Sequence, residues 1–564
     1  MTSRRLSRSE FLGMSAVGGA GLMLAGGIPA ALAAPSASFK PFKVPLPVPP
    51  KAVPGDGGVY RISADDFQQT LHPNLQLVNV WGYDDGTTKL YPGPTIEVHK
   101  DDTTMVEFTN KLPGTHLLPV DPDLVGDRDI APRILTHLHG GFVSGENDGN
   151  PYATQNEYKT GSVAGATQRV TYPPQPRATT LWYHDHALGM TRLNVYAGLA
   201  GYFLIRDDND TGEEEGLKAN KIGIPGGAYE IPIVIQDKSF AGGQLFYSDE
   251  AEWEPEFFGD TIVINGAVQP FLTVEPRMYR LRFLNGSQSR FYHFKLGPTF
   301  NQIGSEGGMF DAPVSLKSIL LLPAERADVI VDFTGLDGRD LVLQNRALPE
   351  GVVSPATPNL GSLMQFRVRS ASVTTPPGPT SIPMSLPGTL PNFGDPGPAH
   401  YRYITLEELL DSDGDPIQLQ INGREFDDPV DEKPSSGSIE DWFFVNISAD
   451  THPIHMHLTH FQVIGRAPLD GAAYAAALDA ARQAGTTLPN NTIDPTPFLL
   501  GPEVQPPRNE QGWKDTVGAH PNQVTRIRQQ FDLPAGVLPP QKYVYHCHIL
   551  EHEDNDMMRP YEVV

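Results

Sequence analysis

The sequence predicts an all-β protein of three strand-rich sandwich blocks, and three observations carry that expectation. Glycine and proline number 55 and 54 of 564 residues and long helical runs are few, so short strands and many turns form the background. β-branched and aromatic runs recur between turn residues, as in β-sandwiches. Histidines come in H-x-H pairs, a spacing that on a strand puts both imidazoles on one face, roughly 6.5–7 Å apart at the backbone. The length favours two to four domains over one. A hydrophobic share of 39% with 19% charged residues suits a soluble globular chain with ample core. The formal net charge of −25 argues against nucleic acid and anionic membranes as partners. A single cysteine rules out an intramolecular disulfide and says nothing about redox compartment.

In chain order, residues 1–34 read as an export signal. Arg4, Arg5 and Arg8 precede a small-residue apolar stretch from Gly13 to Ala34, which ends Ala31-Leu32-Ala33-Ala34-Pro35. Ser3-Arg4-Arg5 suggests the twin-arginine route, although Phe11-Leu12 follows Arg8-Ser9-Glu10 and not the arginine pair directly. The expected location is therefore periplasmic, cell-surface or extracellular, with the mature chain beginning near Ala34. No later stretch is long and apolar enough to span a membrane. Residues 41–54 are Pro-rich and read as an extended arm.

The first block, 50–210, holds strands at Leu75–Val80, Thr95–Val98, Thr104–Phe108, Val170–Tyr172, Thr180–Tyr183 and Tyr202–Ile205. It carries two histidine pairs, His137/His139 and His184/His186. A charged linker follows at 207–227. The second block, 225–375, has strands at Ile262–Asn265, Met278–Leu284 and Ala327–Phe333; its one histidine, His293, is isolated, so this block reads as a metal-free spacer. A Pro-rich linker at 374–397 leads to the third block, 398–564. There the strand Trp442–Ile447 runs into His452-Pro453-Ile454-His455-Met456-His457. An Ala-rich helix at Ala472–Ala484 and a loop at 488–501 form an insertion.

The last stretch reads Tyr543-Val544-Tyr545-His546-Cys547-His548-Ile549-Leu550-Glu551-His552-Glu553-Asp554-Asn555-Asp556-Met557. A lone buried cysteine is most often a small hydrophobe. Five soft or borderline ligands within twelve residues are hard to explain as packing. A thiolate among imidazoles with a thioether in reach is the donor set of a blue copper centre, His₂Cys with a weak axial Met. His452 supplies the missing histidine, giving His452, Cys547 and His552 with Met557 axial. Successive strand residues face opposite ways, so His546 and His548 point away from Cys547. The eight histidines left in the motifs, 137, 139, 184, 186, 455, 457, 546 and 548, form four pairs, two from each outer block. A copper cluster shared by those blocks would use all eight and could deliver several electrons to one O₂.

These motifs resemble those of the multicopper oxidases. His-Leu-His-Gly, Trp-Tyr-His-Asp-His-Ala, His-Pro-Ile-His-Met-His-Leu and His-Cys-His-Ile-Leu-Glu-His-Glu-Asp match in order, and residues 182–205 and 543–560 carry the flavour of the spore-coat laccase, bilirubin oxidase and phenoxazinone synthase branch. Residues 512–517 and 91–97 are similar to that branch's framework. The resemblance implies three cupredoxin (Greek-key β-sandwich) domains and four coppers. It implies a type 1 site at His452, Cys547, His552 and Met557, type 2 ligands His137 and His455, and a type 3 pair held by His139, His184, His186, His457, His546 and His548. It implies one-electron oxidation of a small aromatic reductant at an exposed type 1 site, with four-electron reduction of O₂ to water. Phenols, aromatic amines and bilinoid pigments are the expected donors. Asp148 falls where the branch has an acidic residue near the type 2 copper, and Glu553 where it has a carboxylate in the oxygen channel; both are candidate proton carriers. Asp148 fits an Asn-Asp-Gly turn equally well, and Glu553 fits a solvated acidic edge with Glu551 and Asp554. His72, His99, His116, His293, His400, His460 and His520 read as surface or satisfied core residues.

Three rival readings fit the sequence less well. A copper nitrite reductase has two such domains and no type 3 pair. A cuprous or ferrous oxidase shares every ligand, but a copper-handling member often carries a Met-rich insertion; there are 12 Met here and none at 467–501. A non-enzymatic scaffold of this fold would have lost its ligands, and this chain keeps them.

Overall fold

The structure is a computed structural model. It describes residues 39–564 apart from 126–129, 153–162, 215–218, 249–251, 356–359, 371–377, 413–415 and 486. The export signal expected at 1–34 lies outside the described residues. Six sheets pair into three sandwiches. In the first, a five-stranded sheet is ordered Lys89–Leu90, Val78–Asp84, Tyr60–Gln69, Thr104–Asn110, Thr167–Tyr172. It faces a four-stranded sheet ordered Ile96–His99, Ala200–Arg206, Thr179–Asp185, Thr136–His139. Trp81, Tyr83, Phe108, Leu138, Tyr183 and Phe203 fill the space between them. The third sandwich packs the sheet containing Tyr401–Leu410, Ile439–Asn446 and Gln523–Gln530 on the one ordered Thr516–Ala519, His452–Met456, Gln541–Cys547, Met558–Val563. Trp442, Phe444, Ile454, Tyr545, Cys547 and Met557 lie in that core.

The three sandwiches repeat one pairing. A long early strand lies parallel to a later one, with Tyr60 opposite Val106, Glu230 opposite Arg280 and Tyr401 opposite Asp441. Parallel neighbours need a crossover and not a hairpin, so each block closes through a long connection, as Greek-key sandwiches do.

Most expected strands form, lengthened where ladders continue beyond the apolar run. Thr104 extends to Asn110, and the run at 180–183 becomes Thr179–Asp185. Tyr60–Gln69 was not foreseen: its second half alternates at half exposure and carries Asp65 and Asp66, so it lacks an apolar signature. The insertion helix is Gly471–Gln483, one residue earlier than expected, because Asp470 accepts the Ala473 N–H and caps it.

Two segments expected to be loose are pinned. In the arm at 41–54, Phe42 N–H donates to Gln269 O and Ala52 N–H to Thr95 O, so the arm straps the second sandwich to the first. In the linker at 207–227, Asp210 is 2% exposed and bonded by Arg206, Arg280 and Arg282. Buried charge needs such partners, so this segment is part of the interface. Among the described residues no helix is long and apolar enough to cross a membrane.

Candidate metal centre

Strand parity builds the site. Leu138 and Tyr183 point into the first core, so His137, His139 and His184 lie on the sheet's other face. His137 and His184 are direct cross-strand partners. In the third sandwich Ile454 pairs with Cys547 inside the core, and His455 pairs with His546 on the opposite face. The two histidine-bearing faces meet. His137 stacks on His457 with ring centroids 3.9 Å apart, and His139 on His455 at 3.6 Å. His186 lies 5.0 Å from His546, and His139 lies 5.0 Å from His548. All eight rings are at most 1% exposed.

Cys547 occupies the other face. Its Sγ is 3.6 Å from Nδ1 of both His452 and His552, and those nitrogens are 3.3 Å apart. Met557 is fully buried in the same core, and its carbonyl accepts the Cys547 N–H at 2.9 Å. One residue along the chain therefore joins the thiol to each half of the imidazole cluster.

The donor atoms fit a resident metal. His137 Nε2, His139 Nδ1, His184 Nε2, His455 Nε2 and both ring nitrogens of His548 are buried with no hydrogen-bond partner. With His186, whose two ring nitrogens also lack a hydrogen-bond partner, six rings in one place carry a bare nitrogen, which is costly unless something else satisfies it. Within each of the sets His137/His455/His457, His137/His139/His184, His186/His457/His546 and His452/Cys547/His552, the ligand atoms lie within 4.8 Å of one another. Burial first, then neighbouring imidazoles, hold His137, His186 and His455 well below the usual histidine range, and burial takes His184 down to about 3. The rings are thus neutral, with lone pairs available, as a metal requires. Nitrogen and thiolate donors suit copper.

Both acidic candidates are at the cluster. Asp148 is fully buried; its Oδ2 is 2.6 Å from His457 Nδ1, and its carbonyl accepts from His137 Nδ1 at 2.6 Å. The turn reading holds as well: Gly149 has φ +75°, and a Cβ there would sit 2.0 Å from Thr136 O. The turn is what delivers the carboxylate. Burial pushes Asp148 up to about 6. Glu553 is 1% exposed, with oxygens 3.2 Å from His186 Nδ1 and 3.1 Å from His546 Nδ1. The solvated acidic edge is therefore overturned. Glu551 is buried against Tyr247, Gln288 and Ser289, and Asp554 binds Arg192. The sequence shows the charges but not the distant partners that cover them, Arg192 from the first block and Tyr247, Gln288 and Ser289 from the middle one.

Sequence reasoning missed three residues. Glu256, in the middle block, places Oε1 3.3 Å from Nε2 of His552, so the type 1 candidate is covered where an exposed one was expected. Asp515 and Arg326 meet beside His139. Only the framework run at 512–517 hinted at Asp515. Of the isolated histidines, His72 is buried and its Nε2 lies 3.2 Å from Lys40 O. His460 is half-buried, with Nε2 3.8 Å from Asp515 Oδ2.

Comparison with known proteins agrees with this geometry. Family models described as multicopper oxidase match residues 399–564 and 129–210. The chain is 37% identical over 527 residues to a laccase of Bacillus subtilis, covering 89% of this chain and 94% of that one. It is 36% identical over 587 residues to a laccase of Haloferax volcanii, covering 97% and 89%. Among solved structures, McoA multicopper oxidase of the hyperthermophile Aquifex aeolicus superposes with a TM-score of 0.71 at 27% identity, covering 92% of this chain and 99% of that one. With three cupredoxin-like sandwiches and these relatives, the chain belongs to the multicopper oxidase family, in its laccase-like branch, and is a copper-dependent oxidoreductase that uses O₂.

Proposed function

We propose that the chain holds four coppers and oxidises small aromatic donors one electron at a time. In this reading His452, Cys547, His552 and Met557 hold the type 1 copper. His137 and His455 hold type 2, and His139, His184, His186, His457, His546 and His548 hold the type 3 pair. Copper held there would supply the redox chemistry, coupling four one-electron oxidations of donor to the reduction of one O₂, with four protons, to two waters. The chain's own residues do the rest. Cys547 provides a covalent path through its backbone to His546 and His548. Burial excludes water around the rings. Asp148 and Glu553, each beside a cluster imidazole, hold and hand over protons. The domain division 50–210, 225–375 and 398–564 and export by the twin-arginine route belong to the same proposal.

The observation that supports it best is the set of buried, unpartnered imidazole nitrogens shared by two sandwiches, next to a separate thiol. The test is copper content with absorption and EPR spectra after anaerobic loading and re-oxidation. About four coppers, a red thiolate band, a near-ultraviolet shoulder and both EPR signal types are expected. No bound copper would sink the reading and revive the scaffold. A second reading, a metal-ion oxidase, is favoured by Glu256. A carboxylate oxygen on the outer nitrogen of His552 is a ligand type that suits a cationic donor. Turnover of Fe(II) or Cu(I) against phenols and bilirubin separates the two.

A further inference from the structure

Arg326 comes from the middle sandwich, which contributes no histidine to the cluster, yet it ties both outer sandwiches together beside it. It is 1% exposed. Its Nε donates to Thr180 O at 3.1 Å, on the strand that carries His184. Its two terminal nitrogens donate to the two oxygens of Asp515, at 2.9 and 2.5 Å. Asp515 is fully buried, and its Oδ1 also accepts from His139 Nε2 at 3.1 Å and from Thr516 Oγ1 at 2.9 Å. The Asp515 carbonyl accepts from His455 Nδ1 at 2.8 Å.

These contacts set the two rings. An ionised carboxylate only accepts hydrogen bonds, so the His139 nitrogen facing it carries the proton. The other nitrogen, Nδ1, is left bare, and it is the one with no partner in the structure. By the same logic His455 presents bare Nε2. Asp515 could itself be taken for a ligand, since its oxygen lies within 4.8 Å of His139 and His455 donor atoms. The Arg326 fork, His139 and Thr516 already engage both oxygens, so it reads as a holder of rings. A planar bidentate guanidinium fixes a carboxylate's orientation as well as its position. The glycine of His-Leu-His-Gly fits the same design. Gly140 has φ +82°, and a Cβ there would lie 2.4 Å from Asp515 Oδ2, 2.8 Å from Leu181 Cδ2 and 3.1 Å from Arg326.

We infer that Arg326 is a positioning residue for the copper cluster, acting through Asp515 to fix the orientation of His139 and His455. This rests on the reading that those histidines hold copper. Partners that orient histidine ligands are typically worth about 10–100-fold in metal affinity.

The experiment compares wild type with Arg326→Gln, Arg326→Lys and Gly140→Ala. It measures copper retained against a competing chelator, the near-ultraviolet and red bands separately, and the melting temperature of copper-free protein. Arg326→Gln is expected to weaken retention of cluster copper by about tenfold or more while the Cys547 red band stays at wild-type intensity. Arg326→Lys, which keeps the charge without the fork, should restore part of the loss. Gly140→Ala keeps both charged partners and should weaken the cluster alone, so the idea stays testable if Arg326→Gln fails to fold. Wild-type retention with a lowered apo melting temperature would overturn the proposal, leaving Arg326 a structural ion pair. Equal loss at the type 1 site would overturn it as general loosening. Wild type that takes up no copper would instead overturn the copper reading, and this proposal with it.

Discussion

Glu256→Gln isolates one charge beside the proposed type 1 site. Glutamine keeps an oxygen able to accept from His552 Nε2, so the contact survives and only the charge is removed. In the structure the carboxylate oxygen is 3.3 Å from that nitrogen, and the carboxylate is 9% exposed. Crossing the imidazole and adding a metal–nitrogen bond of about 2 Å gives roughly 7 Å from charge to metal. At an effective dielectric constant of about 20 the interaction is about 2 kcal/mol. For a one-electron couple that is about 100 mV. A nearby anion favours the more positive oxidised metal, so removing it raises the type 1 potential. A redox titration followed at the red thiolate band reads this directly. Glu252→Gln, exposed on the same segment, is the control, and solvent should keep its shift small. An unchanged or lowered potential in Glu256→Gln, at wild-type copper content and band intensity, would refute the reasoning.

Met557→Leu removes the thioether of the proposed type 1 set and should also raise the type 1 potential, checked in the same titration; no rise would count against Met557 as a ligand. Arg280→Met leaves Asp210 and Asp328 short of a partner that makes four charge-assisted bonds to them, at 2.5 to 2.8 Å. The expected cost is about 3–5 kcal/mol in equilibrium urea unfolding, part of it recovered by Asp210→Asn in the same chain. His116 should contribute to acid sensitivity. Burial takes it from 6.5 to about 4, and Nδ1 accepts the Leu118 N–H, so the folded ring resists protonation. The unfolded chain then binds more protons between pH 6.5 and 4. Stability is full above pH 6.5 and falls as pH drops toward 4, by about 3 kcal/mol at most. The ring's partial exposure lowers that ceiling. In His116→Gln, melting temperature should depend less on pH across that window.

The candidate ligands were legible because their spacing is local. A histidine two residues from another on a strand shares its face, and one beside a cysteine takes the opposite face, whatever the rest of the chain does. Parity alone therefore separated His546 and His548 from Cys547, and the structure keeps them apart. Asp148 was ambiguous for a physical reason: the turn and the carboxylate's job are one feature, because Gly149 makes the turn that aims Asp148 at His457. Glu553 was ambiguous because local sequence cannot report what covers a charge. Ser289, Gln288 and Tyr247 reach its neighbour Glu551 from more than 260 residues away.

The same limit explains the middle sandwich. Lacking paired histidines, it read as a spacer, and a spacer needs only the right length and stiffness. The structure gives it specific contacts at both ends of the proposed electron path. Glu256 stands on the outer nitrogen of His552, and Arg326 holds the carboxylate that holds His139, a contact whose two ends in the outer sandwiches are 376 residues apart. Neither residue has a motif, since each acts through a ligand and not as one. A block without ligands can thus tune the donor side by charge and the oxygen side by ring orientation, independently. The Glu256 and Arg326 variants separate these roles: the first should move the type 1 potential and leave cluster copper in place, and the second should do the reverse.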